Sequence, residues 1–188
     1  MLTQLNSYID TIDADFWRDL CTSRGELRHY AKDEEFITAG TVGRYIGYVQ
    51  SGSLKYVCYS EDGEPHVVGL EFSGQFVSDF PGSIYRQKSR CSIIATTPSS
   101  IYCLSTAWVA ERMATDARLR EMINDSTRHI FNMLYDRHID LYVKTPRQRY
   151  EELIRYDANL FNLFSLRDIA SLLGITPTHL SRLRRTLR

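Results

Sequence analysis

The densest concentration of groups able to do chemistry lies at the C-terminal end of the sequence. From Thr176 to Arg188 there are four arginines (Arg182, Arg184, Arg185, Arg188) and no acidic residue. Thr178, His179 and Ser181 stand among them. Guanidinium groups pair with phosphate oxygens and with the acceptor edge of guanine. Hydroxyl and imidazole groups reach bases directly or through water. A helix with this polar, basic face suits the major groove of double-stranded DNA, with Arg182 the first candidate for a base or phosphate contact. Arg184, Arg185 and Arg188 would serve mainly phosphates.

The preceding residues supply the frame. Ser165 can cap a short helix, with Asp168 at the third helical position to complement the exposed N–H groups. Ile169, Ala170 and Leu173 form its inward face, and Ala170 is small where two helices would cross closely. Gly174 ends the helix in a left-handed conformation, Ile175 plugs the core, Thr176 caps the next helix and Pro177 sits in its first turn. Leu180 and Leu183 then point inward, leaving Thr178, His179, Ser181, Arg182 and Arg185 outside. This is a helix-turn-helix. The plainer alternative is a helical hairpin with a solvated basic face, but capping, glycine, proline and charge segregation agree on the first.

Upstream, the pattern changes several times. Residues 147–188 read as a small helical unit, with helices at Arg149–Tyr156, Leu166–Leu173 and Pro177–Leu187. Thr145-Pro146 marks a boundary between residues 1–143 and 144–188. No Gly or Pro interrupts Ala107 to Thr145, so one long helix is expected over about 106–143, capped by Ser105 or Thr106. Its stripe of Leu119, Met122, Ile123, Ile130, Met133, Leu134 and Leu141 suits a dimerisation helix or a helix buried within one chain. Residues 26–104 hold short apolar runs, Tyr45–Val49, Leu54–Tyr59, Val67–Phe72 and Ile93–Ala95. Turn signals at Ser51-Gly52, Asp62-Gly63, Ser73-Gly74, Pro81-Gly82 and Pro98-Ser99 separate them, which predicts an antiparallel sandwich or barrel. Residues 3–24 carry a helical apolar face, and Asp13 can cap a second helix within it.

Composition narrows the classes. Lys plus Arg and Asp plus Glu each total 23, so formal net charge is zero and only local clustering argues for nucleic acid. Cys21, Cys58, Cys91 and Cys103 form no C-x-x-C pair, so free thiols in a reducing cytoplasm are expected rather than a disulfide scaffold or a metal site. The N-terminus has no signal-peptide pattern, and no apolar run reaches the ~20 residues of a membrane span. A cytoplasmic protein without membrane contact is expected. No nucleophile–base set, H-E-x-x-H, P-loop or Rossmann pattern is present, so an enzyme is not expected.

Asp168-Ile-Ala-Ser-Leu-Leu-Gly-Ile-Thr-Pro-Thr-His-Leu-Ser-Arg182 resembles the helix-turn-helix signature of the Crp/Fnr family of bacterial transcription regulators. Thr145-Pro-Arg-Gln-Arg-Tyr-Glu-Glu-Leu-Ile resembles that family's entry into its DNA-binding domain. Tyr45-Ile-Gly-Tyr-Val-Gln-Ser-Gly-Ser-Leu-Lys and Gly63 to Ser105 resemble its cyclic-nucleotide-binding β-roll. The resemblance implies an α+β protein: an N-terminal antiparallel, jelly-roll-like β-roll with flanking helices, a long dimerisation helix and a C-terminal winged-helix-type helix-turn-helix. It further implies a homodimer on a near-palindromic site, and RNA polymerase as a further partner. The sequence ends a few residues past the third helix, which puts any wing before Ser165, around Asn159–Phe164.

The resemblance also implies an effector site. Ser78 and Asp79 stand where cyclic-AMP-binding relatives carry Gly-Glu, Ser89 stands at their arginine, and Arg90 and Cys91 follow. Leu134 and Tyr135 match the Thr-Ser pair that meets the purine, and Tyr48 and Tyr56 could line a remodelled pocket. With all three contact sets altered, the expectation is an unidentified small effector rather than cyclic AMP. No cofactor is required: there is no N-terminal cysteine cluster for iron–sulfur, and His29, His66, His129 and His138 are lone candidates for a haem ligand. The reading is therefore an effector-controlled DNA-binding regulator. The alternative is a ligand-binding module whose helix-turn-helix serves protein–protein interaction.

Overall fold

The computed structural model describes residues 6–157 and 159–186. The first residues of the expected N-terminal helix, including Leu5, lie outside them, as do Leu187 and Arg188. A 3-10 turn at Ser7–Asp10 leads to α1 (Ala14–Arg24), and the Asp13 carboxylate caps α1 by accepting the Phe16 N–H at 2.9 Å.

Eight strands follow: β1 (Glu26–Tyr30), β2 (Glu35–Ile37), β3 (Tyr45–Ser51), β4 (Ser53–Tyr59), β5 (Pro65–Phe72), β6 (Phe76–Val77), β7 (Ser92–Ala95) and β8 (Ser99–Ser105). They form two four-stranded antiparallel sheets, ordered β1-β8-β3-β6 and β2-β7-β4-β5. Inward side chains from both sheets, among them Phe36, Val49, Leu54, Val77, Ile93 and Ile101, close on one another as the core of the roll. Gly47 is needed there, because a Cβ would lie 2.6 Å from Ile101 and 2.7 Å from Val77.

The cysteine expectation is corrected in part. Cys21 and Cys103 are free and buried, but Cys58 and Cys91 form a disulfide. Strand register makes the pair: Val57 faces Ser92, so the next residues outward stand opposite each other with Cα atoms 4.5 Å apart. Sequence spacing carried no sign of it, since 33 positions separate the two.

The expected long helix is two helices, α2 (Thr106–Arg112) and α3 (Ala117–Val143). Asp116 explains the break. Its carboxylate accepts the Leu119 N–H at 3.0 Å, which makes Asp116 the N-cap of α3 and takes it out of helical geometry. Trp17, Cys21, Ile46, Leu104, Val109, Leu119 and Ile123 pack α1, α2 and the start of α3 on the outer face of one sheet.

Four more helices complete the chain: α4 (Pro146–Tyr156), α5 (Leu160–Leu163), α6 (Leu166–Leu172) and α7 (Pro177–Thr186). The wing expected around Asn159–Phe164 is not there; that segment contains the single turn α5, and no strand follows β8 among the described residues. The helical unit does not stand apart from the roll. Val57, Val67, Leu70 and Phe72 of β4 and β5 share one buried cluster with Tyr150, Leu153, Leu160, Phe164, Ile169, Ala170, Leu173 and Leu180. Full burial of an aliphatic side chain is worth about 1.5–3 kcal/mol, so this shared core fastens the two units together.

Candidate nucleic-acid interface and effector pocket

The helix-turn-helix has the local chemistry read from its sequence. Ser165 Oγ accepts the Asp168 N–H at 3.1 Å, and Asp168 accepts in return from the Ser165 N–H at 3.2 Å, a reciprocal capping box. Gly174 has φ +65°, where an L side chain would be strained, and makes the tight turn. Thr176 Oγ1 accepts the His179 N–H at 3.2 Å and caps α7. Ile169, Ala170 and Leu180 are completely buried and fix the crossing of α6 and α7.

The cap Thr176 and, on α7, Thr178, His179, Ser181, Arg182 and Arg185 are all exposed. Arg184, expected to serve mainly phosphates, is not free to do so. It is half-buried, with its guanidinium 3.9 Å from the centre of the Phe161 ring. This cation–π contact ties α7 to α5.

The outer face of α6 is anchored to the roll. Lys55 Nζ on β4 donates to Asp168 Oδ1 at 2.7 Å, and the Val67 N–H on β5 donates to Ser171 Oγ at 2.8 Å. Burial alone would raise the Asp168 carboxyl, but hydrogen bonds from Lys55 and Ser165 and the Lys55 charge outweigh it and hold the group below its ordinary value. At the other end of α6, Arg149 donates to Leu173 O at 2.9 Å and to Lys144 O at 2.6 Å, joining the ends of α6 and α3.

The first half of α3 is buried through Leu119, Ile123 and Ser126; in its later turns Met133 is still buried, but one side of the helix is not. Phe131, Leu134, Tyr135 and Tyr142 are exposed, Tyr142 by 78%. The rings of Phe131 and Tyr135 stack at 6.0 Å with an 8° interplanar angle. Spacings of three, four and seven put these residues on one side of the helix.

A cavity of about 250 Å³ lies between α3 and the roll. Ile12, Trp17, Ile46, Phe76, Ile130 and Met133 give it an apolar lining. Its polar groups are Asn6, Tyr56, Glu71, Ser78, Asp79, Ser126 and Arg137. Gly69 opens room beside the Tyr56 ring, because a Cβ would lie 3.0 Å from it. Burial raises the Asp79 carboxyl, with the Ser89 hydroxyl and the Arg90 charge pulling the other way. Burial also lowers the Arg137 guanidinium, which the Glu71 charge opposes; Arg137 Nη2 donates to Val68 O at 3.0 Å. The Trp17 indole N–H donates to Ser126 Oγ at 2.8 Å, so α1 and α3 meet across the cavity wall.

Residues 27–116 match the family described as cyclic nucleotide-binding domain. No curated protein sequence matches the chain significantly. Solved structures do. FixK2 from Bradyrhizobium japonicum superposes with a TM-score of 0.72 at 18% identity, covering 87% of this chain and 84% of its own. A protein from Eubacterium rectale described as a transcriptional regulator of the Crp/Fnr family gives 0.69 at 15% identity, covering 97% and 86%. The c-di-GMP-responsive global regulator CLP of Xanthomonas campestris gives 0.66 at 18%, covering 93% and 91%. The chain has the fold of a Crp/Fnr-type regulator. No helix among the described residues is long and apolar enough to cross a membrane.

In this Crp/Fnr-type fold, the effector residues suggested by resemblance divide into two groups. Ser78, Asp79, Cys91 and Leu134 line the cavity. Ser89, Arg90 and Tyr135 do not. Ser89 is buried and exchanges hydrogen bonds with the Cys91 backbone, Arg90 is exposed, and Tyr135 is exposed against Phe131. Tyr56 lines the cavity, whereas Tyr48 packs on Phe76. Sequence reasoning missed Asn6, Trp17, Glu71, Ser126 and Arg137, and the only visible signal was polar residues interrupting apolar runs, Glu71 in β5 and Ser126 in α3.

Proposed function

We propose that this chain is a homodimeric, sequence-specific DNA-binding transcription regulator, switched by a small effector in the cavity between the roll and α3. The observation that carries the reading is α7: its exposed face holds Thr178, His179, Ser181, Arg182 and Arg185, while its buried face holds it rigidly on α6. Two such helices in a dimer would enter successive major grooves. The apolar stripe of Phe131, Leu134, Tyr135 and Tyr142 gives a second copy its contact.

The cavity supports an effector other than a cyclic nucleotide. Two carboxylates, Glu71 and Asp79, line it, and Arg137, its one lining cation among the described residues, already serves the Val68 carbonyl and the Glu71 charge. A cyclic phosphate brought there meets two carboxylates against a single guanidinium that already pairs with one of them. The occupant is a small, mostly apolar molecule.

Selection from a random duplex DNA pool tests the DNA reading. Enrichment of a near-palindrome supports it. A pool without enriched sequence sinks it and leaves the helix-turn-helix as a protein-binding element. Mass spectrometry of molecules copurifying with the native protein, with calorimetry against cyclic AMP, tests the effector; tight cyclic AMP binding would overturn the electrostatic argument.

A further inference from the structure

Three buried polar side chains run from the cavity wall toward the helical unit. Asn6, Glu71 and Gln75 are only 2%, 6% and 6% exposed. The Asn6 backbone has φ +58°, a region Asn tolerates better than most residues, and its side chain lies against β5. Asn6 Nδ2 is 2.6 Å from Leu70 O, 3.0 Å from Glu71 Oε2 and 2.8 Å from Gln75 Oε1. Tyr56 OH in the cavity shares its one proton between Glu71 Oε1 at 3.5 Å and Ser78 O at 3.3 Å. Gln75 Oε1 accepts the Phe72 N–H, and Gln75 Nε2 donates to Tyr156 OH on α4.

An amide NH2 has two protons, and three acceptors surround it here. At any instant two are served in full. The Leu70 carbonyl holds the shortest contact, so Glu71 and Gln75 compete for the other proton. Glu71 faces the cavity; Gln75 faces the helical unit. Gln75 Oε1 keeps the Phe72 N–H and Glu71 keeps other contacts in either arrangement, so neither arrangement strands a buried acceptor, which a two-state element requires.

We infer that the Asn6 amide is a hydrogen-bond switch coupling the cavity to α4. This rests on the effector reading of the cavity given above. A ligand group that donates a hydrogen bond to Glu71 releases the Asn6 proton to Gln75. Gln75 Oε1 is then better satisfied, its amide is held in place, and its bond to Tyr156 is firmer. The same ring sits 5.6 Å from Phe72, which packs at 5.4 Å on Phe164 just before α6. The ligand class this favours is a small apolar molecule with a hydrogen-bond-donating head.

The test is amide hydrogen exchange on the full ligand-free chain. Glu71→Gln removes the carboxylate charge and stands in for a carboxylate already satisfied by a ligand. It should slow exchange in α4 and α6 by about fivefold, the lower edge of ordinary coupling between sites. In a Tyr156→Phe background the same substitution should change these rates less than about twofold, by the logic of a double-mutant cycle. No effect in the first background, or an equal effect in both, overturns the switch. If Glu71→Gln fails to fold, Asn6→Ala replaces it: faster α4 exchange that disappears in Tyr156→Phe supports the switch, and any other pattern overturns it. DNA selection on the wild-type chain reads out separately, so failure of the regulator reading leaves the exchange result standing, and the reverse.

Discussion

Lys55 Nζ and Asp168 Oδ1, 113 residues apart, stand 2.7 Å from each other and join β4 to the first helix of the helix-turn-helix. Both side chains are largely buried, and Asp168 simultaneously closes the capping box of α6 with Ser165. One carboxylate thus serves local helix formation and the docking of two units.

Replacing Lys55 with Met should separate those roles. The capping box survives, while Asp168 loses its charge-assisted partner. A stability loss of about 1.5–3 kcal/mol is expected, the usual worth of a hydrogen bond to a charged group. Urea unfolding checks the magnitude, and faster amide exchange in α6 with little change in β8 checks the location.

Acid should loosen the same junction. The Asp168 carboxyl lies below its ordinary value in the folded chain, so its contribution is complete above the unfolded value near ~3.9. It is lost as pH falls through the folded value. Loss of α6 protection below about pH 4, smaller in the corresponding curve of Lys55→Met because only the Ser165 bonds remain, is the expected result.

The arginines of α7 should divide by their surroundings. Arg182→Ala with Arg185→Ala should weaken binding to a selected duplex and lower the salt slope by about two units per protomer, up to about four for the dimer, roughly 0.9 for each phosphate that no longer meets an arginine. Arg184→Ala should act mainly on stability, by about 0.5–2 kcal/mol, because its guanidinium covers Phe161. Gel shifts at several salt concentrations and thermal unfolding of both variants separate the two effects.

The α3 stripe should control assembly. Tyr135→Glu together with Tyr142→Glu places charge on side chains exposed in the single chain, so the fold should persist. Sedimentation should show the wild type as a dimer and the variant as a monomer. A wild-type monomer at micromolar concentration would overturn the second-copy assignment.

Thiol chemistry should divide the cysteines two and two. Burial pushes Cys21 up to about 12 and Cys103 up to about 11, so both stay protonated near neutrality and react slowly. Iodoacetamide on the native chain should label neither. Cys58 and Cys91 should be labelled only after a reductant is added, as mass mapping of peptides would show.

The helix-turn-helix was legible in the sequence because it is local. Ser165, Asp168, Gly174, Thr176 and Pro177 act on backbone groups within four residues of themselves, and the alternation of Ile169, Ala170, Leu173 and Leu180 needs only helical periodicity. The strands at Tyr45–Val49, Leu54–Tyr59 and Val67–Phe72 were legible for the same reason. What only the tertiary structure decided depends on partners far apart in the chain. Strand register made the Cys58–Cys91 pair, docking of α6 on the roll made the Lys55–Asp168 contact, and folding of the N-terminal segment onto β5 placed Asn6 between Glu71 and Gln75. The cavity belongs to the same class: Trp17, Glu71 and Arg137 reach it from three elements, and no spacing rule relates them. A capping residue finds its partner within a turn, whereas a pocket residue finds its own only after the sheets have closed.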